Sequence, residues 1–539
     1  MSNTNRLYLS QASSFKADNG ILNKDYATIV TLGNKVIYAL AEERLSGVKH
    51  DGMCKYLGLD NFRKYYKDLI SDLGEPTCLP PKEGNEHHID HIYDVFYNSG
   101  FKESAVLVVD GCGTENDSIT LAYMVENEKP VILKKFSKDE SIGILYGRTA
   151  TFCLGGSKYN DPNCDHMNLF LEGKFMGLAP YGNPYDYSYF RFNKDHIDID
   201  RPRYQEDTHK YNNLRSESIL YTTRVAATVQ RDFENCVVDI VEYLYKLLLK
   251  NNIHTDNLCL SGGCILNCPT NSKIVKQGLF KHYYSTSNPG DGGATNIGAV
   301  YRSLEKLGIK LESRRLSPFL GYSYTMEDIL GDLAFEDNSN NDPEIKYENL
   351  IGNTIYIHLL VSGKILAWYQ GSSEWGPRAL GHRSFLADPS KSDTLVKLNN
   401  IKGREIWRPL APIIPEELFS MVFEDADGNN DMADLMLRTY TIKPEWRSKL
   451  RAVCHIDNTT RPQLLKKNVN SKLYKLLMEW YGRTGIPGLV NTSLNIDGKP
   501  MMDTPLNNSA IVQNINDKYK GDVIFVVNYD RYFMNLYKK

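Results

Sequence analysis

Twice in the first half of this 539-residue chain an apolar run of strand length stops on a glycine turn. Ala105-Val-Leu-Val-Val109 runs into Asp110-Gly-Cys-Gly, and Leu258-Cys-Leu260 runs into Ser261-Gly-Gly-Cys. From Arg224 to Asn251, Val225, Val229, Phe233, Val237, Ile240, Val241, Leu244 and Leu247 recur at helical spacing. Strand, glycine turn and helix in succession are the grammar of an α/β fold with ligands at its strand ends. The polar stretch Phe335-Glu-Asp-Asn-Ser-Asn-Asn-Asp-Pro343 reads as a linker. Beyond it, Lys364-Ile-Leu-Ala-Trp-Tyr369 and Asp522-Val-Ile-Phe-Val-Val527 read as strands of a second α/β unit. The expected domains are therefore 1–340 and 341–539, and no internal repeat is visible in the sequence.

Composition removes several classes of function. Hydrophobic residues (42%) suffice for a sizeable core, and a net charge of -3 provides no global basic field for gripping duplex DNA. No stretch approaches the ~18 apolar residues of a membrane span, and the polar start lacks the apolar core of a signal peptide. The ten cysteines form no paired knuckles, which suits reduced thiols. The expected location is cytoplasmic, without a membrane partner.

Four constellations carry chemistry. In His87-His88-Ile-Asp-His91, His87 and His91 project from one face of a helix, as two metal ligands would. Asp110 and Asp291 are glycine-framed carboxylates that could complete such a site; a solvated histidine cluster is the plain alternative. Two imidazoles and two carboxylates suit Fe(II), Mn or Zn better than Mg. The turns at Gly262, Gly263 and Asn267, and at Gly292 and Gly293, could expose backbone N–H groups to a nucleotide or acyl phosphate. Arg378, Arg383, Lys402, Arg404 and Arg408 fall within about thirty residues, among Gly, Pro and aromatic neighbours. Such enclosed cations need anionic partners, and a polyphosphate is the expected one. Finally, Asn491, Thr492 and Ser493, followed by Gly498-Lys-Pro-Met-Met-Asp-Thr-Pro505, offer amide and hydroxyl groups that could orient a carbamoyl group.

Taken in order, these blocks resemble the O-carbamoyltransferase family that includes Nod-factor, cephem, aminoglycoside and ansamycin carbamoyltransferases. The resemblance runs from Ala41-Glu-Glu-Arg-Leu-Ser-Gly-Val-Lys-His-Asp-Gly52 to Ser493. It passes through Leu107-Val-Val-Asp-Gly111, Lys174-Phe-Met-Gly-Leu-Ala-Pro-Tyr-Gly182, Gly376-Pro-Arg-Ala-Leu-Gly381 and Arg408-Pro-Leu-Ala-Pro412. It implies an N-terminal domain like actin, Hsp70 and sugar kinases (a duplicated ribonuclease-H-like fold), followed by a YrdC-like α/β domain. It further implies that carbamoyl phosphate and ATP, the latter with Mg, form carbamoyl-adenylate and pyrophosphate. An acceptor hydroxyl then takes the carbamoyl group near a divalent metal, usually iron. Carried over by motif, the metal ligands are His87, His91, Asp110 and Asp291, while Arg378, Lys402 and Ser493 meet carbamoyl phosphate and nucleotide. Two departures stand out: Asp25-Tyr-Ala27 matches the family's early segment loosely, and His382 replaces a small or amide residue.

The attacking alcohol needs a base, and His88 or Asp90, beside the ligand positions, is the expected one. The expected acceptor is a sugar or small-molecule alcohol. An alternative is a 5-hydroxymethylpyrimidine in phage-type DNA or its nucleotide, which fits a Lys-rich, AT-biased composition with 35 tyrosines able to stack a base. DNA and a second copy of the chain, as a homodimer, are thus further candidate partners. The threonylcarbamoyl-tRNA machinery shares both folds but lacks the Gly376 and Lys402 blocks. An actin-like nucleotide switch without transferase activity would need neither the histidines nor a second phosphate domain.

Overall fold

The computed structural model describes residues 6–12, 27–46, 57–79, 86–154, 171–213, 219–325, 333–336, 353–426, 428–496, 499–503, 515, 518–519, 521–527, 531–533 and 535–538. Residues 25–26, 47–52, 337–343, 498 and 504–505, parts of stretches singled out above, lie outside the described residues. Two compact units emerge: residues 1–81, 317–436 and 440–539 form the first, and 82–316 with 437–439 the second. These are not the consecutive segments 1–340 and 341–539 expected. Side chains explain the grouping. Tyr65 stacks on Tyr322 with ring centroids 4.4 Å apart, Asn61 donates to the Tyr324 hydroxyl at 2.8 Å, and Arg44 reaches the backbone at Gly376. The linker reading also changes at its start. Phe335 and Glu336 belong to a strand, Leu333–Glu336, that pairs antiparallel with Asn535–Lys538.

In the first unit, β1 (Leu7–Ala12), β2 (Ala27–Leu32), β3 (Lys35–Ala41) and β4 (Thr77–Cys78) form a sheet ordered β3-β2-β1-β4. β1 is antiparallel to β2 and parallel to β4. A short helix α1 (Glu43–Ser46) follows β3. The second unit begins with α2 (His87–Tyr97), then β5 (Glu103–Val109), β6 (Asp117–Val125) and β7 (Val131–Ser137). The expected long helix is α3 (Ile219–Lys250), followed by β8 (Asn257–Ser261), α4 (Cys268–Lys276), β9 (His282–Tyr284) and α5 (Ala299–Lys306). The sheet order is β9-β8-β5-β6-β7, with β5 antiparallel to β6 and parallel to β8. Thus β7-β6-β5-β8 repeats the succession and directions of β3-β2-β1-β4. This is the duplicated ribonuclease-H-like order, a repeat of topology that the sequence does not display.

The remaining sheet of the first unit uses β10 (Ile365–Tyr369), β11 (Arg383–Ala387), β12 (Ala411–Pro415), β13 (Gln463–Leu465), β14 (Leu489–Ser493), β15 (Val523–Val527) and β16 (Arg531–Phe533). Its order is β13-β12-β14-β11-β10-β15-β16. The two strands read from sequence, β10 and β15, lie parallel as neighbours. Trp368, Trp480, Phe385, Ile413, Val490 and Val526 are wholly buried around this sheet. β-branched and aromatic residues fit such a doubly covered surface. Helix α6 (Thr394–Ile401) delivers Lys402 at its C-terminus. No helix among the described residues is long and apolar enough to cross a membrane.

Candidate functional site

Helix α2 is buried on nearly every side, so its polar residues must find partners inside the second unit. Gly298 makes room for it, since a Cβ there would sit 2.0 Å from the Asp90 carbonyl oxygen. Gly298 closes a π-helical turn, Ala294–Gly298, that follows Asp291; such turns recur at functional sites. On the other side, Gly262 adopts φ 101° and lacks a Cβ that would collide with Val109. That approach brings the Gly263 N–H to Asp110 Oδ1 at 3.1 Å.

His87, His91, Asp110 and Asp291 consequently converge, each offering one ligand atom, with all four atoms within 4.8 Å of one another. His87 Nε2 lies 3.0 Å from Asp110 Oδ2, 3.3 Å from Asp291 Oδ1 and 3.2 Å from His91 Nε2. The Ser261 hydroxyl donates to Pro289 O at 3.3 Å, so its oxygen accepts from His91 Nδ1 at 2.9 Å. That fixes the tautomer with a bare Nε2 facing the cluster, as a metal-ligating histidine requires. Burial disfavours the His87 imidazolium, yet Asp291 and Asp110 outweigh it and raise its pKa to about 10. Asp291 pays for burial but is held well below the usual carboxylate range by His87 and His91. Two imidazoles and two oriented carboxylates fit a borderline divalent cation, which would take the place of the protons.

The two residues expected as bases part company. His88 Nδ1 lies 2.7 Å from Thr120 Oγ1 and 3.4 Å from Asp117 Oδ2. Its Nε2 is buried with no hydrogen-bond partner among the described residues. Its ring centroid is 5.8 Å from that of His87 and 6.1 Å from that of His91. Burial lowers its pKa to about 4, against the pull of Asp117, so the imidazole is neutral. Asp90 is instead committed to Arg302 at 2.6 Å, and Arg302 also binds Glu86. Removing one member of such a buried pair costs about 3–5 kcal/mol, so Asp90 is structural.

The cations of the first unit are satisfied differently. Lys402 Nζ donates to the Ser493 carbonyl and hydroxyl (3.1 Å for the latter) and to the Asn495 backbone and side-chain oxygens. All are neutral. Arg404 donates Nε to Asn399 Oδ1 at 2.6 Å, while its buried Nη2 has no hydrogen-bond partner among the described residues. Burial, then Arg408 and Arg461, lower its pKa to about 9. Arg408 has a loose pair with Glu405 at 3.8 Å. Arg378 sits partly buried on the loop between Gly376 and Gly381.

Several expected ligand contacts are already taken by the protein. Arg383 is wholly buried and donates to the carbonyls of Asp503, Gln370 and His382 and to the Tyr369 hydroxyl. It staples backbone and has little left for phosphate. Asn267 caps α4 and exchanges hydrogen bonds with Gln230. Gly263 serves Asp110, Gly292 accepts from Asn296, and Gly293 avoids a clash with Asn288, so these turns shape the histidine–carboxylate cluster. Asn491 donates to Ala379 O and Gln463 Oε1, whereas Thr492, between Asn491 and Ser493 on β14, faces the opposite side of the sheet. Sequence reasoning missed Arg461, Asn495, Ser261 and Glu374. Ser261 and Asn495 stood inside motifs already noticed; Arg461, in Thr460-Arg-Pro462, carried no local signal.

Comparison with known proteins adds to this geometry. The profile for the carbamoyltransferase N-terminus matches residues 21–301, and that for the carbamoyltransferase C-terminus matches 357–528. The nodulation protein NolNO of Sinorhizobium fredii is 28% identical over 537 residues, covering 89% of this chain and 75% of that protein. The 3'-hydroxymethylcephem-O-carbamoyltransferase of Streptomyces clavuligerus is 32% identical over 426 residues, covering 76% and 74%. Among solved structures, HypF of T. kodakarensis aligns over 58% of this chain and 49% of its own at a TM-score of 0.33 and 14% identity, too slight a likeness to bear weight.

Proposed function

Because the chain belongs to the carbamoyltransferase family, we propose that it activates carbamoyl phosphate with ATP and delivers the carbamoyl group to the hydroxyl of a sugar or other small-molecule alcohol. Carbamoyl transfer to oxygen follows from the family. The ATP-dependent activation rests on one observation: Arg404 is enclosed beside Arg408 and Arg461, and burial with their like charge lowers its pKa to about 9. Enclosed cations crowded against one another favour a polyanion.

The balance of the first step needs a water. The carbamoyl–phosphate bond breaks, releasing orthophosphate, and the carbamate oxygen attacks the α-phosphorus of ATP, releasing pyrophosphate. Lys402, Arg404, Arg408, Arg461 and Arg378 would hold these charges together. In the second step the acceptor oxygen attacks the carbamoyl carbon and AMP leaves. The neutral His88, with Nε2 free of hydrogen bonds to described residues, takes the hydroxyl proton. His87, His91, Asp110 and Asp291 would hold the metal, Fe(II) in this reading, and when bound it supplies Lewis-acid stabilisation of developing negative charge. The acceptor class is supported by the Streptomyces relative, named for a hydroxymethyl oxygen.

The test is exchange of labelled pyrophosphate into ATP by metal-replete protein. Exchange that requires carbamoyl phosphate supports the reading; its absence overturns the adenylate. A panel of sugars, nucleotides and hydroxymethylated DNA, read by mass, then identifies the acceptor by gain of one carbamoyl group.

A further inference from the structure

Two buried charges outside the Arg378 motif hold its loop in shape. Glu374 is 3% exposed. Its Oε1 accepts the N–H groups of Leu380 at 2.7 Å, His382 at 3.1 Å and Arg383 at 3.2 Å. Its Oε2 is buried and has no hydrogen-bond partner among the described residues. Arg44, from the far N-terminal segment, is 4% exposed. Its Nη2 donates to the carbonyls of Glu374 at 3.2 Å and Gly376 at 2.6 Å, and its Nη1 lies 3.4 Å from Met501 O. A carboxylate thus gathers the N–H groups at one end of the loop, and a guanidinium gathers the carbonyls at the other.

The loop needs such a hold. It begins and ends on glycines with φ 125° (Gly376) and 94° (Gly381). Glycine there removes strain but also removes any intrinsic preference for one shape. Arg378 lies between them. An ion pair serving stability alone would satisfy itself side chain to side chain. Here each charge is spent on loop backbone, with charge-assisted hydrogen bonds on both ends.

We propose that Arg44 and Glu374 are positioning residues that fix the Gly376–Gly381 loop so that Arg378 meets its anionic substrate. This rests on reading the unit as the carbamoyl phosphate and ATP site. Neither residue touches substrate; both act through the loop.

Glu374→Gln keeps the shape and weakens three charge-assisted bonds, while Arg44→Lys replaces a fork that spans separate carbonyls with a single point. The full-length protein is titrated calorimetrically with inorganic pyrophosphate, and KM for carbamoyl phosphate is measured in the exchange assay. Each variant is expected to bind pyrophosphate about tenfold more weakly and to raise that KM by about tenfold, with kcat little changed. A lowered melting midpoint with unchanged pyrophosphate affinity and unchanged KM would mean a purely structural role and would overturn the proposal. Should either variant not fold, Ala379→Gly loosens the loop without touching the clamp and must also weaken pyrophosphate; unchanged affinity there overturns the proposal as well. Wild-type protein that binds pyrophosphate but shows no exchange defeats the activation reading and leaves the clamp to be judged on affinity. Wild-type protein that binds no pyrophosphate defeats the clamp.

Discussion

At His87, His91, Asp110 and Asp291 each group faces one of opposite character within 4 Å, whereas Lys402 spends its donors on Ser493 and Asn495, which carry no charge. The first centre is already balanced by protons on imidazole, so a ligand must displace positive charge with positive charge. A metal cation does that. The second centre crowds Arg404 against Arg408 and Arg461, so the proposed ligand is one that brings negative charge. In the proposed reading, the ligand class of each centre follows from the groups that already meet its buried charges.

The largest effect should come from separating the two centres outright. His87→Ala is expected to abolish bound metal and carbamoyl transfer while pyrophosphate exchange persists; metal analysis and both assays on one preparation check it. Loss of exchange as well would break the division. Next, Lys402→Met should lower exchange by about 10²–10³, the cost of losing a donor aimed at developing charge, and leave metal content unchanged. Ser261→Ala removes the acceptor that fixes the His91 tautomer. It should weaken metal affinity by roughly 10–100-fold, measured by competition with a chelator.

The smallest effect tests how little extra positive charge the second centre accepts. His382 stacks on Phe319 with ring centroids 3.7 Å apart and meets Ser372 O at 2.7 Å. Burial lowers its pKa from 6.5 to about 4, Glu374 opposing and Arg383 reinforcing the shift. Above pH 6.5 both folded and unfolded chains carry it neutral. As pH falls toward 4 the unfolded chain binds a proton that the folded chain refuses. Stability therefore drops by about 1.4 kcal/mol per pH unit across that window. His382→Gln should remove that slope, seen as a smaller fall in melting temperature between pH 7.5 and pH 5.

Part of this was legible in the sequence, for physical reasons. His87 and His91 share a helix face because four residues make about one turn, and Asp110 directly follows the buried apolar run Ala105–Val109. The strands at 365–369 and 523–527 could be read for the same reason. Arg383 could not be read, because its neighbours look like a phosphate loop and only the fold reveals the carbonyls that consume it. Asp90 looked available until Arg302, more than 200 residues away, took it. Arg461 reaches its cluster only through tertiary packing. The topological repeat was invisible because sheet order depends on pairing, which many sequences satisfy.

The grouping of residues 1–81 with 440–539 has a consequence for synthesis. The first segment leaves the ribosome some tens of seconds before the last, at ~5–20 residues per second. The sheet β3-β2-β1-β4 has all its strands by residue 78, but the carbonyls that Arg44 binds, at Gly376 and Met501, do not yet exist. Arg44 must stay hydrated through most of translation, and the unit can close only when the C-terminal sheet arrives. A nascent chain halted near residue 340 would therefore present a finished small sheet whose most distant contacts are still unmade.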